Sequence, residues 1–399
     1  MKAVILAAGR GTRMRPLTDD TPKPMLPVAG KPVMKHSIDL LEDLVDEVIV
    51  VAGHMKEQIE KDLDVTVVEQ EEALGTGHAA LQAREHVDGP AVILNGDDIY
   101  GEGLREAVQK DSAMMVHSVD DPSDYGVVET REGTVEDLVE KPGDPSTDLA
   151  NTGVYVVKER FFDLLEGLEK SERGEYEITD AVRKYAEDEE LEAVEAETWL
   201  PCNYPWELLE ANRKLLEPER LIEGDVDPSA RVNGDVVVEE GAVVREYSVI
   251  EGPAVIRKGC DIGPHAHIRG PVVLEENVHV GSSEVKSSVI REGSNVPHQN
   301  YVGNSYVGKD VNMGAGSKTA NLLNDGSTVR MEVKGELVDT GRRKMGAVIG
   351  SGASIGVNSS IKPGRKIGLN ASTDVGEKVS RTLPQNSVLK DGEIVENRD

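Results

Sequence analysis

Cysteine is almost missing from this chain: Cys202 and Cys260 are the two in 399 residues. Two thiols build neither a disulfide framework nor a cysteine metal cluster, in keeping with a reducing compartment. Long apolar runs are missing as well, so no segment reads as a membrane span. The apolar start breaks off at Ala8 and runs into arginines rather than a cleavage site, so it is not read as a signal peptide and the expected compartment is the cytoplasm. Basic residues are the third scarcity. Forty-four Lys and Arg stand against 74 Asp and Glu, a net charge of −30. Such an excess repels nucleic acid and anionic membrane surfaces, which excludes both as partners.

What is present begins at the first residue. An apolar strand, Ala3 to Ala7, enters a loop holding Gly9, Arg10, Gly11, Arg13 and Arg15, and Lys23 follows between two prolines. Glycines let backbone N–H groups approach an oxyanion, and fixed cations neutralise a polyphosphate, so this is a phosphate site. Its spacing is neither the Walker pattern nor the dinucleotide fingerprint. Short β-branched runs at 47–51, 65–68 and 91–94 alternate with amphipathic segments near 33–44, 76–86 and 103–110. That alternation predicts a doubly wound α/β (Rossmann-like) domain over residues 1–217, with ligands at the carboxyl ends of its strands.

After Asp225 the period becomes six. Val226, Val232, Val238, Val244, Ile250, Ile256, Ile262, Ile268, Leu274 and Val280 stand at six-residue steps, and the rhythm returns at Ile290, Val296 and Val302 and again at Ile349, Ile355, Ile361 and Ile367. Neither a helix nor an alternating strand has this period, so each hexamer is one side of a stacked coil over residues 225–380. Gly263, Gly281, Gly303, Gly308, Gly314, Gly350, Gly356 and Gly368 suit its corners. Residues 318–346 break the rhythm and read as an inserted arm, and 381–399 as a C-terminal tail.

LAAGRGTRM with PKPMLPVAGKP, at 6–14 and 22–32, resembles the signature of the sugar-1-phosphate nucleotidylyltransferases. The hexads resemble the left-handed parallel β-helix of hexapeptide-repeat proteins, and the handedness comes from that resemblance alone. The first resemblance implies that Leu6, Ala7, Ala8, Gly9 and Gly11 hold a nucleotide and that Arg13 and Lys23 are catalytic. Gln70, Gly75 and Thr76, in the segment ending LGTGHA, would hold the nucleoside of UTP or dTTP; a glutamine amide offers the donor and acceptor that such a base needs. Asn95-Gly96-Asp97 ends an apolar strand, and Asp97 would hold Mg²⁺, a hard cation suited to oxygen ligands, while Asp98 faces away. Gly126, Glu140, Lys141 and Asn151 would bind the sugar 1-phosphate. Relatives carry an aspartate as second metal ligand after a tryptophan; here Trp199 is followed by Asn203, which takes that place.

In the second half, Pro297-His298-Gln299-Asn300-Tyr301 and then VNMGAG at 311–316 resemble the acetyl-transfer segment of the bifunctional N-acetylglucosamine-1-phosphate uridylyltransferases. By that resemblance His298 takes a proton from a sugar amine as it attacks acetyl-CoA, and Arg269, Lys286, Tyr301, Asn312 and Asn321 hold the acceptor. Imidazole suits such work because its pKa lies near neutrality. Gly341 to Lys344 would meet the phosphates of the coenzyme. The combination looks most like the archaeal bifunctional enzymes and implies a homotrimer. Two rivals stand beside it: a monofunctional glucose-1-phosphate uridylyl- or thymidylyltransferase with a β-helix that only oligomerises, and a non-catalytic regulatory subunit of translation-initiation type.

The charge is unevenly spread. From Asp225 onward 23 acidic residues face 21 basic ones, leaving 51 acidic and 23 basic before it, a balance of −28. A surface so acidic around anionic substrates points to a high-salt cytoplasm, where the screening length shrinks to about 3 Å at 1 M. Lowering KCl from molar to about 0.1 M is therefore expected to melt the first domain before the second, as like charges then repel over about 10 Å. A single melting transition that ignores salt would contradict this.

Overall fold

The computed structural model describes residues 1–216 and 219–396, so the expected boundary at 217 and the last three residues of the tail lie outside the described residues. Compactness divides the chain into two units. The first comprises Met1–Arg10, Pro22–Leu26 and Pro32–Cys202; the second comprises Gly11–Thr21, Pro27–Lys31 and Asn203–Asp399. Among the described residues no helix is long and apolar enough to cross a membrane.

The first unit is built on a sheet with the strand order Thr66–Glu69, Glu47–Ala52, Lys2–Ala7, Ala91–Asn95, Leu149–Val157, Ala113–Ser118, Glu192–Glu195, Thr134–Glu140, Gly126–Arg131. The first four run parallel. Both faces of these strands are buried: Ala3 and Ile5 join one apolar cluster with Val50, Val92 and Leu94, while Val4 and Leu6 join the other with Ile49, Ile93 and Tyr155. This is why the strands read as continuous apolar runs. The sheet is mixed beyond these four: Leu149–Val157 runs antiparallel to Ala91–Asn95 and Ala113–Ser118, and Thr134–Glu140 antiparallel to Glu192–Glu195 and Gly126–Arg131. The helices Val33–Leu41, Thr76–Gln82 and Gly103–Val108 stand where the amphipathic segments lie but end earlier, with Arg84–His86 finishing as a 3₁₀ turn.

The second unit contains a left-handed parallel β-helix. Val226 pairs with Val244, and Val244 with Ile262, so one coil takes eighteen residues, or three hexads. Three inward columns result. One runs Val232, Ile250, Ile268, Val285, Val302, Thr319, Ile361, Val379. Its members from Ile250 to Val379 are fully buried, and each aliphatic side chain contributes about 1.5–3 kcal/mol. β-Branched residues dominate because they fit a pleated, tightly stacked surface. Thr319 is accommodated by accepting hydrogen bonds from Gly303 N (2.9 Å) and Ser305 Oγ (3.1 Å).

Two irregularities shape what the coils carry. Leu274 pairs with Ile290, a coil of sixteen residues, and the register shifts between Ser282 and Glu284, so His279–Lys286 and Asn295–Gly303 run on past a corner as long strands. Val307 then pairs with Ile349. Lys318–Thr319 still belongs to a coil, so the inserted arm begins after it and carries the hairpin Arg330–Val333 and Glu336–Asp339. The tail contains Ser387–Lys390, which continues the stack, and Glu393–Glu396, which folds back on it. Most corner glycines answer to close coils rather than a left-handed turn: a Cβ at Gly281 would stand 2.0 Å from Pro297 O, and at Gly314 2.5 Å from Ile355 O.

One lysine on this stack is nearly buried. Lys366 follows Tyr306 and Val348 in register. Burial pushes its amine down to about 8, against the opposing pull of Glu332 and Asp19. Between about 8 and the usual 10.5 the unfolded chain binds the extra proton, so this group makes stability rise with pH across that window; below it the amine is charged in both states and adds no slope. Lys366→Met is expected to remove a rise of at most roughly 3 kcal/mol, read as the difference between the two proteins in denaturant melts from pH 7 to 10.5. Parallel curves would contradict the burial of a charged amine here.

Candidate functional site

The first candidate lies at the carboxyl ends of the parallel strands. Lys2–Ala7 ends at Ala8 and the exposed Gly9, and Gly96 closes on the same strand end by donating its N–H to Leu6 O at 2.9 Å. A Cβ at Gly96 would sit 2.9 Å from Ile5 Cγ2, so only glycine lets the Asn95–Asp98 turn come this close. That turn presents Asp97 outward. Lys23, on a 3₁₀ turn that starts after Pro22, donates from Nζ to Asp97 Oδ2. Burial opposes the charge on Lys23, but Asp97 and Asp98 outweigh it and hold its pKa above the ordinary lysine value. Lys23 is therefore a fixed cation at neutral pH.

Asp98 turns inward and is buried, where Trp199 Nε1 (3.3 Å) and Asn95 Nδ2 (3.4 Å) donate to its Oδ2. Burial first and the Asp97 charge second push its carboxyl up to about 7, while Lys23 and these hydrogen bonds pull the other way. The two neighbouring carboxylates thus differ: one faces the cation and solvent, the other anchors the strand end.

Gln70, Gly75 and Thr76 come together in a loop stitched to residues 174–178. Gly77 N donates to Tyr176 O and Tyr176 N to Leu74 O, both at 2.8 Å, and Ile178 N donates to Thr76 Oγ1 at 3.1 Å. Gly75 has φ +110°, and a Cβ there would lie 2.5 Å from Tyr176 O. The Gln70 side chain is buried, with Nε2 donating to Gly75 O at 3.2 Å and lying 2.8 Å from His78 Nδ1. The amide expected to read a base is thus engaged with the loop. Tyr176, stacked on His78 with ring centroids 6.2 Å apart, had no motif to announce it.

Gly126 and Glu140 face each other across the hairpin, and Asn151 lies beside them: a Cβ at Gly126 would meet Glu140 Oε2 at 3.1 Å and Asn151 Cβ at 3.5 Å. Asn151 is fixed by donating to Tyr155 Oη (2.7 Å) and accepting from Gly153 N (2.8 Å). Lys141 is exposed and left-handed (φ +47°). Arg173, unmarked by any motif, reaches Glu140 at 3.8 Å.

Arg13 and Asn203 belong to the second unit. Gly11 is left-handed (φ +59°), Thr18 Oγ1 donates to its carbonyl at 2.8 Å, and the Arg13 guanidinium lies 5.7 Å from the Tyr204 ring centre. Asn203 N donates to Glu207 Oε2 at 2.6 Å, at the start of the helix Pro205–Leu215.

The second candidate lies on the β-helix. His298 is exposed at the irregular corner, and the buried Asn300 braces it: its Oδ1 accepts from His298 N (2.9 Å) and its Nδ2 donates to Gly314 O (2.6 Å). Arg269, Lys286 and Gly303 are neighbours on successive coils of one face, where Tyr301 also stands. Asn321 Nδ2 donates to Tyr301 Oη at 3.2 Å and to Asn304 Oδ1 at 2.7 Å. Asn312 stands in a different column, with His279, Asn295 and Ser354. Burial, and then the charges of Lys344 and Arg269, depress the Lys286 amine. Lys344 thus stands with Lys286, while Arg342 pairs with Glu210 (3.1 Å) and Arg343 donates to Gly326 O (3.1 Å).

Residues 2–217, more than half of the chain, match the family model described as nucleotidyl transferase. The chain belongs to the nucleotidyl transferase family. The bifunctional protein GlmU of Methanococcus maripaludis is 39% identical over 99% of this chain and 98% of its own length. The bifunctional sugar-1-phosphate nucleotidylyltransferase/acetyltransferase of Sulfurisphaera tokodaii is 37% identical over 91% of this chain and 93% of that protein. Among solved structures, a UDP-glucose pyrophosphorylase complexed with UDP-glucose matches with a TM-score of 0.50 and 25% identity over 53% of this chain and 97% of that one. The likeness to the bifunctional relatives thus runs through the β-helix as well as the α/β half.

The loop at Gly75 gives a direct check on this geometry. Gly75→Ala places a side chain at φ +110° against the Tyr176 backbone, and such a conformation costs on the order of 1–3 kcal/mol. Thermal melts of the variant are expected to show that loss. An unchanged melting temperature would contradict the close approach of residues 74–77 to Tyr176.

Proposed function

We propose that this chain transfers a uridylyl or thymidylyl group to a sugar 1-phosphate and acetylates a hexosamine 1-phosphate, so that the two steps together make a UDP-N-acetylhexosamine. The reading is carried by the Lys23–Asp97 pair at the strand ends of a chain that aligns over nearly its whole length with bifunctional relatives.

In the nucleotidyl transfer an oxygen of the sugar phosphate attacks the α-phosphorus in line, the bond to the β-phosphate bridging oxygen breaks, and pyrophosphate leaves with its electrons. Little covalent work falls to the protein. Lys23, fixed and charged, neutralises the developing negative charge. Arg13 is proposed for the same work, Leu6, Ala7, Ala8, Gly9 and Gly11 for the phosphates, and Gln70, Gly75 and Thr76 for the nucleoside. Gly126, Glu140, Lys141 and Asn151 are proposed for the sugar phosphate.

The family uses a divalent metal, and Mg²⁺ is the proposed ion. Among the described residues no group of three or more His, Cys, Asp or Glu is placed to hold a metal. One outward carboxylate nevertheless fits Mg²⁺, which keeps several waters and takes few protein ligands when phosphates share it. Asp97 would hold it, with Asn203 as the proposed second ligand. When bound, the ion supplies charge neutralisation across the phosphates.

In the acetyl transfer, which precedes the nucleotidyl transfer, the amine nitrogen of the hexosamine 1-phosphate attacks the thioester carbon of acetyl-CoA, His298 accepts the amine proton, and the thiol leaves. Arg269, Lys286, Tyr301, Asn312 and Asn321 are proposed for the acceptor, and Lys344 joins them through its place beside Lys286. A homotrimer is the proposed assembly, by resemblance.

Two substitutions separate the activities. Lys23→Ala is expected to abolish pyrophosphate release from an N-acetylhexosamine 1-phosphate and UTP while thiol release from acetyl-CoA continues. His298→Ala is expected to lower thiol release by about 10²- to 10⁴-fold with pyrophosphate release unchanged. The reading is wrong if either change removes both activities in a folded protein, or if neither does anything.

A further inference from the structure

Four charged residues alternate in sign up one edge of the β-helix. Glu239, Arg257, Glu275 and Arg291 each directly follow an inward residue of one column, Val238, Ile256, Leu274 and Ile290. They therefore stand one above another, roughly 4.8 Å apart. Arg257 Nε reaches Glu239 Oε1 at 3.2 Å and Arg291 Nε lies 3.7 Å from Glu275 Oε2. The same place on later coils, after Val307, Ile349 and Ile367, is taken by Gly308, Gly350 and Gly368. The coil itself thus does not need charge there.

Each arginine also donates one hydrogen bond to a segment from the start of the chain that belongs to the same compact unit. Arg257 Nη1 donates to Gly30 O at 2.5 Å, and Arg291 Nη1 donates to Thr21 Oγ1 at 3.0 Å. Tyr306 Oη, also on the β-helix, donates to Pro27 O at 3.0 Å. Arg291 is 4% exposed and Glu275 13%, and a buried ion pair of this kind is expensive to desolvate and often no better than an apolar pair. Its local return is the grip on Thr21.

We infer that Arg291 and Arg257 are positioning residues for nucleotidyl transfer, fastening the segments Gly11–Thr21 and Pro27–Lys31 between which the segment carrying Lys23 is strung. The link is covalent and short: Thr21 is two residues from Lys23, and Pro22 and Pro24 fix φ on either side. With one rotation fewer between them, a displacement at Thr21 is passed in large part to Lys23. Misplacing a catalytic group by about 1 Å can cost on the order of 100-fold. The inference rests on the reading of Lys23 as the cation of that step.

The test uses the full-length protein with Arg291→Met, Arg291→Lys and Thr21→Val. Hydrogen exchange of peptides covering 11–31 needs no substrate; it is expected to speed about tenfold in Arg291→Met and Thr21→Val, with the strand Ala91–Asn95 unchanged. In the same variants kcat for pyrophosphate release is expected to fall about 10- to 100-fold, with KM for the sugar phosphate nearly unchanged and acetyl transfer intact. Arg291→Lys should recover part of the loss. Thr21→Val removes the acceptor without touching the β-helix, so its agreement with Arg291→Met separates positioning from a damaged coil. Unchanged exchange, or faster exchange with unchanged kcat, would overturn the inference. If the unmodified protein released no pyrophosphate with any nucleotide, the reading of Lys23 would fall, and the exchange result would still decide whether Arg291 holds the segment.

Discussion

The second unit depends on one constraint: each regular coil returns the chain to the same edge after eighteen residues. A side chain is then stacked on its counterparts above and below, and the choice made in one coil limits the next. Apolar β-branched residues dominate the three inward columns because they suit that spacing, with Leu274 and the hydrogen-bonded Thr319 among the exceptions, and glycine is required where neighbouring backbones touch. Chemistry appears where the constraint is relaxed. The sixteen-residue coil from Leu274 to Ile290 straightens a corner, and on the next coil, beside Ser282, the exposed His298 stands on a buried asparagine. The long insertion leaves the stack after Thr319 and brings Lys344 to the face that holds Lys286.

In the first unit the balance is electrostatic. Desolvation works against the charges of Lys23 and Asp98, and the outcome depends on pairing. Lys23 keeps its proton because two carboxylates stand near it; Asp98, buried beside Asp97, is pushed toward neutrality. The site therefore has a permanent cation next to one carboxylate that is open to solvent, an arrangement matched to phosphate chemistry and to a hard metal ion.

Much of this was legible in the residues themselves. The hexads from Val226 to Val280 name the inward columns, and the run into Gly9 with Lys23 between prolines marks the first site. The placing of Asp97, Glu140 and Asn151 came from resemblance, since a lone carboxylate or amide carries no signal of its own. Three things were not readable. The antiparallel course of Leu149–Val157 depends on tertiary pairing, because its apolar pattern would suit either direction. Arg257 and Arg291 are separated by a coil of irregular length as well as a regular one, so their common edge is hidden in the numbering. Gln70 lies buried against its own loop because Gly75 and His78 satisfy its amide, which composition could not show.

The central claim, two chemistries in one chain acting in sequence, is tested most directly by product mass. The unmodified protein would be given UTP, Mg²⁺, glucosamine 1-phosphate or galactosamine 1-phosphate, and acetyl-CoA, with each component also left out in turn. The expected product is the UDP-N-acetylhexosamine, formed only when all are present, with one thiol and one pyrophosphate released per molecule. A UDP-sugar formed at full rate without acetyl-CoA, with no thiol released from either amino sugar, would contradict the claim and leave the β-helix as an assembly device.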